Sequence, residues 1–134
     1  MKKKRKITLL IIALIVVSTA IVGFVVVRSI ESNLEELTNI AFGDIDLDEI
    51  ADGSYFGSFS TFPVVAEVEV VVRNHEIVEV IILKHNHGRG SEAEVVSERV
   101  VASQTLRVDT VSGATYSSIV ILKAIEDALA DYLL

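Results

Sequence analysis

The stretch "DTVSGATYSS", Asp109 to Ser118, gathers hydroxyl side chains, a glycine, an alanine and a leading aspartate ahead of an apolar run with helical spacing. Two kinds of chemistry suit these residues. Ser112, Thr115 and Ser117 are good helix N-caps, and Gly113 relieves the turn before them. The same place suits a phosphate group. A helix N-terminus leaves backbone N–H groups unpaired and carries partial positive charge. Gly113 and Ala114 have little or no side chain, so a bulky ligand can approach the backbone. Capping and phosphate binding draw on the same physics, and the residues alone leave both open.

Other chemistry is sparse. His85 and His87 form an H-x-H pair, with His75 nearby in sequence. On a strand, residues i and i+2 share a face and can begin a metal site. No third ligand accompanies them, so no metal is expected and the pair reads as a strand end with solvent-exposed imidazoles. "GRG", Gly88 to Gly90, lacks the third glycine of a dinucleotide fingerprint. The chain has no cysteine. That excludes an iron–sulfur cluster, a CxxCH haem attachment, a thiol nucleophile and a disulfide.

The elements that must hold the cluster follow from periodicity. "DGSYFGSFSTF", Asp52 to Phe62, begins with a turn and continues as a short strand in which Tyr55, Phe59 and Thr61 alternate with small residues. Pro63 interrupts it. "VVAEVEVVVR" puts Ala66, Val68, Val70 and Val72 on one face, and Glu67, Glu69 and Arg73 on the other. Asn74-His75 makes a hairpin turn, and Ile77 to Lys84 returns as a more fully buried strand. Ser91 and Glu94 form a capping box that starts a helix near Glu92. After the connector "SQTLRV" and the hydroxyl cluster, the last helix runs from about Ser117 to Leu133. It buries Ile121, Leu122, Ile125, Ala128, Leu129 and Tyr132, and exposes Lys123, Glu126, Asp127 and Asp131. The expected fold is α+β, a small antiparallel sheet packed with helices.

The N-terminal third is different. Five basic residues, Lys2 to Lys6, precede "ITLLIIALIVVSTAIVGFVVV", Ile7 to Val27, which carries no charge over 21 residues. As a helix it is about 31 Å long at roughly 1.5 Å per residue, close to the hydrocarbon thickness of a bilayer. It reads as one transmembrane helix rather than a cleaved signal peptide, whose apolar region is shorter and ends in a small-x-small site. The basic cluster keeps residues 1–6 in the cytoplasm and sends the rest outside. Residues 28–51 read as an acidic stalk with a short juxtamembrane helix, and residues 52–134 as the globular domain. From residue 29 onward, six bases stand against nineteen acids, a net charge of −13. Such a surface excludes nucleic acid, whose phosphates need cations, and suits cationic partners.

"DTVSGATYSS" resembles the D-x-x-[ST]-G-A-T signature of the FMN-binding domain family. This bacterial family includes the C subunit of the sodium-translocating NADH:quinone reductase, the G subunit of the Rnf complex and small extracytoplasmic flavoproteins. Asp109, Ser112, Gly113, Ala114 and Thr115 match every fixed position, and the resemblance extends over about residues 52–134. It implies that Thr115 carries FMN through a phosphoester made from FAD by a separate, magnesium-dependent flavin transferase. Asp109, Ser112, Gly113 and Ala114 would be recognition and turn residues. Ser117 fits the trailing positions, and Tyr116, beside Thr115, is the best-placed aromatic for the flavin. His85 is expected to line the flavin pocket, and Arg89 either to approach the flavin or to stay solvated. The implied function is a membrane-anchored, extracytoplasmic flavoprotein relaying electrons between redox partners, rather than an enzyme turning over a small substrate. The other reading is a cofactor-free scaffold or adhesion domain in which the motif only caps a helix.

Overall fold

The computed structural model describes residues 2–38, 41–86 and 90–134. Their order is helix α1 (Lys2–Thr38), strands β1 (Gly53–Thr61), β2 (Val64–Arg73) and β3 (Glu76–Asn86), and helices α2 (Val95–Ser103) and α3 (Thr115–Ala128). Short 3-10 turns at Leu47–Glu49, Ser91–Glu94 and Ala130–Tyr132 punctuate the chain. The architecture is α+β, as the alternating and helical periodicities predict. Two compact units divide it, one ending at Glu35 and one running from Glu36 to Leu134.

The first unit is helical throughout from Lys2. Within α1, Lys6–Leu37 is long and apolar enough to cross a membrane. Two of the three hydroxyls in its apolar run are satisfied on one carbonyl, Ser18 Oγ and Thr19 Oγ1 both donating to Ile15 O at 2.9 and 2.8 Å. Back-bonding of this kind lets serine and threonine sit in an apolar helix without an unpaired donor.

The second unit is built on an antiparallel sheet in the order β1-β2-β3. Two tight hairpins set its register. Thr61 pairs with Val64 around Phe62-Pro63, whose peptide bond is cis, and Arg73 pairs with Glu76 around Asn74-His75. Asn74 and His75 both have positive φ (51° and 63°), the pattern of a type I′ hairpin turn. Ala66, Val68, Val70 and Val72 are fully buried, as their alternation requires. The exposure pattern corrects the expectation for β3. Val78, Ile81 and Leu83 are exposed, and only Ile77 of that strand is buried. A strand becomes buried on both sides only where both faces are covered.

α3 lies across the inner face of β1 and β2. It approaches so closely that a Cβ at Gly57 would collide with the backbone of Ala124 and Ala128. Here glycine is required by space rather than by dihedral angle. α3 starts at Thr115, two residues earlier than its apolar pattern indicates, and ends at Ala128. Its expected polar stripe is only partly exposed. Glu126 is 8% exposed, ion-pairs with Lys123 and accepts the Gly43 N–H at 3.0 Å. The acidic segment before β1 causes this. Ile50 is completely buried, Phe42, Ile45 and Leu47 pack on the core, and Ile45 bridges to Leu133. Part of the segment read as a stalk therefore belongs to the compact unit that begins at Glu36. Burying an isoleucine such as Ile50 contributes about 1.5–3 kcal/mol.

Candidate functional site

The cluster Asp109–Ser118 forms a turn followed by the first turn of α3. Ala114 N–H donates to Val111 O at 2.9 Å, closing a four-residue turn with Gly113 in its third position at φ 82°. A type II turn demands this left-handed conformation there, and only glycine adopts it without strain. No atom lies within 4 Å of where a Gly113 Cβ would be, so the outer side of the turn is open.

Three side chains outside the turn hold it and the helix start. The Ser118 hydroxyl, fully buried, accepts the Val111 N–H at 3.0 Å and donates to Ala114 O at 2.9 Å. It thereby ties both ends of the turn to one atom. From α2, Arg99 donates to the carbonyls of Asp109 and Thr110 at 2.5 and 3.4 Å. Tyr116 donates its hydroxyl to Phe62 O at 2.7 Å and lies 3.1 Å from Thr61 Oγ1, which fixes α3 to the β1–β2 hairpin. The carboxylate of Asp109 and the hydroxyl of Ser112 are on exposed residues.

None of the hydroxyls expected to cap α3 does so. The N-cap is Ala114, which has no side chain to offer, and no side-chain cap bond is present. Ser112 lies inside the preceding turn, and Thr115 and Ser117 are already helical. The first helical N–H with a partner is that of Ser118, on Ala114 O at 2.9 Å. Among the described residues, the N–H groups of Thr115, Tyr116 and Ser117 and the Thr115 hydroxyl have no hydrogen-bond partner. Thr115 is half-buried. A hydroxyl next to unpaired donors at a positive helix end, beside an open glycine, fits a phosphate ester.

The other helix entrance also departs from expectation. Ser91 and Glu94 make no capping box. The 3-10 turn there is capped by Gly90, with no side-chain bond. Glu94 is drawn instead to β3, where its Oε1 lies 3.1 Å from Nδ1 of His85. The His85 side chain is 1% exposed, so it is not the solvent-exposed imidazole its place at a strand end predicts. His85 pairs in register with Ala66 near the same end of the sheet as the Phe62-Pro63 turn. The structure thus brings Tyr116 and the motif to the hairpin tip, and places His85 on the neighbouring strand. His87, Gly88 and Arg89 lie outside the described residues, and with them the H-x-H pair. Among the described residues no group of three metal-ligating side chains occurs.

Sequence reasoning did not single out Ser118 as a tie, Arg99 or Thr61. Ser118 had one visible signal, its place at the fourth residue of α3, where a small hydroxyl can bond back to the i−4 carbonyl. Arg99 and Thr61 had none.

The FMN-binding domain family model matches residues 63–130. The chain belongs to the FMN-binding domain family. The match covers half of the sequence, from the hairpin turn through β2, β3, α2, the Asp109–Ser118 motif and α3. No match was found among curated proteins. Family membership makes FMN the cofactor and flavin binding the role of this domain. The residues fit that group, because the free hydroxyl, the unpaired N–H groups and the open glycine converge at one helix start. When bound, FMN supplies the redox chemistry, and the protein orients and shields it.

Proposed function

We propose that this protein is a membrane-anchored, extracytoplasmic flavoprotein that holds FMN covalently on Thr115 and relays electrons. The observation that carries the reading is the Thr115 hydroxyl. It stands at the first position of α3 with no structural task of its own, while Ser118, Arg99 and Tyr116 hold the surrounding backbone. In the attachment step, Thr115 Oγ1 forms a bond to the FMN phosphorus of FAD. The pyrophosphate bond breaks, AMP leaves, and the hydroxyl proton is released. A separate flavin transferase with magnesium performs this step, so Thr115 is the acceptor and not a nucleophile of this protein's own catalysis.

The ester explains the arrangement around it. A phosphodiester on Thr115 places its negative charge by the unpaired N–H groups of α3, which favours the folded, flavin-bearing state. Covalent attachment also keeps the cofactor where free flavin would diffuse away. The basic residues before the apolar helix keep the N-terminus in the cytoplasm, so the flavin domain faces outward. Its net negative charge suits redox partners with cationic faces. The role is carriage of electrons within a redox chain rather than turnover of a small substrate.

Intact-mass measurement of the full chain, co-expressed with a flavin transferase, tests the reading. The expected result is one FMN adduct on the wild type and none on Thr115→Val. An unmodified wild type overturns it.

A further inference from the structure

Resting on the assignment of Thr115, we propose that Phe62, and not Tyr116, is the aromatic face that the isoalloxazine ring rests on. A flavin tethered at the start of α3 must lay its ring on nearby surface, and aromatic side chains offer the largest flat contact. Elimination narrows the choice among the described residues of the domain. Tyr55 stands edge-on to Tyr132, with ring centroids 5.8 Å apart, and gives its hydroxyl to Ala51 O. Phe42 packs on the core under the Lys123 ammonium, and Phe59 packs on the core from the inner face of the sheet. Phe56 is exposed, but it alternates with the inward residues of β1 and lies on the sheet face turned away from α3.

Tyr116 is committed. Its hydroxyl holds Phe62 O and meets Thr61, so its ring is fixed between α3 and the hairpin. That same bond fixes the backbone of Phe62 one tyrosine length from the helix start. Phe62 is left 60% exposed at the hairpin tip, with no bond or ring contact of its own side chain. An unused aromatic surface, held rigidly by the residue next to the attachment site, is what a tethered ring needs. Tyr116 is then a positioning residue for Phe62.

Flavin emission tests this. In contact, an indole passes an electron to the excited flavin and recovers it without light, so stacking on tryptophan quenches. The full chain is purified in detergent after co-expression with a flavin transferase, as wild type, Phe62→Trp and Tyr116→Phe. All three are expected to carry the same mass adduct and to show equal emission after unfolding in guanidinium. In the native state, Phe62→Trp is expected to lose emission several-fold against wild type. Tyr116→Phe, which removes the better quencher of the two rings at that position, is expected to gain none. A normal adduct with native emission unchanged in Phe62→Trp overturns the inference, as does a several-fold gain in Tyr116→Phe. A wild type without adduct overturns the Thr115 assignment itself, and this inference with it. Phe62→Ala supplies a second readout: iodide should quench its flavin more steeply than that of wild type, and equal quenching counts against the contact.

Discussion

The entrances of α2 and α3 look alike in sequence and behave differently in the fold. Each offers a serine three residues before a second polar group, Ser91 with Glu94 and Ser112 with Thr115. Neither helix uses a side-chain cap. At α2 the displaced group reaches across to the sheet, and the half-exposed Glu94 carboxylate meets the buried His85 ring on β3. At α3 Ser112 stays exposed, and Ser118, Tyr116 and, from α2, Arg99 do the holding instead. The first entrance serves the sheet, and the second has the free groups that the proposed flavin attachment would use.

Substitutions can sharpen or break this contrast. The largest effect is expected from Thr115→Val, which should abolish the FMN adduct while leaving the unfolding temperature of the flavin-free protein near that of wild type. Mass spectrometry and circular dichroism read the two quantities separately. A large loss of stability in this variant would mean that Thr115 has a structural task after all.

Ser118→Ala should come next. It leaves the Val111 N–H without its buried acceptor, a loss of about 1–3 kcal/mol. Denaturant unfolding should show that loss, and the rate of flavin attachment should fall because the turn is no longer tied. Unchanged stability would remove Ser118 from the account.

At the other entrance, Glu94→Gln should cost at most about 1 kcal/mol, since the carboxylate is half exposed and its attraction to His85 is screened. The adduct should form as in wild type. Failure of flavin attachment in this variant would show that the α2 entrance also serves the cofactor.

The smallest effects are expected from Ser91→Ala and Ser112→Ala, each within about 0.5 kcal/mol of wild type. A working N-cap would cost about 1 kcal/mol. A cap-sized loss at Ser112 would restore the helix-cap reading of the motif.

Local pattern made much of this protein legible. The alternation in Ala66 to Val72 specified a half-buried strand, and Asn74-His75 a two-residue hairpin, because both are properties of neighbouring residues. β3 was misjudged as buried because its run of apolar residues records composition, whereas exposure depends on whether another layer covers the outer face. Glu126 was misjudged as exposed for the converse reason. Residues 41–50, far away in sequence, fold over α3 and supply the Gly43 N–H that it accepts.

The motif shows the same division. Its residue types identified a helix start open to capping or phosphate binding, since those depend on side-chain chemistry and on the conformational freedom of Gly113, and the resemblance to the family signature implied Thr115. The sequence alone also determined the apolar helix, the acidic charge balance and the lack of thiol chemistry. Only the tertiary structure decided that the hydroxyls are not caps, that Ser118, Arg99 and Tyr116 carry the turn, and that His85 is buried against Glu94. Apart from the local Ser118 tie, the deciding bonds join residues of different elements brought together by packing, and no periodicity along the chain encodes which distant partner a side chain will meet.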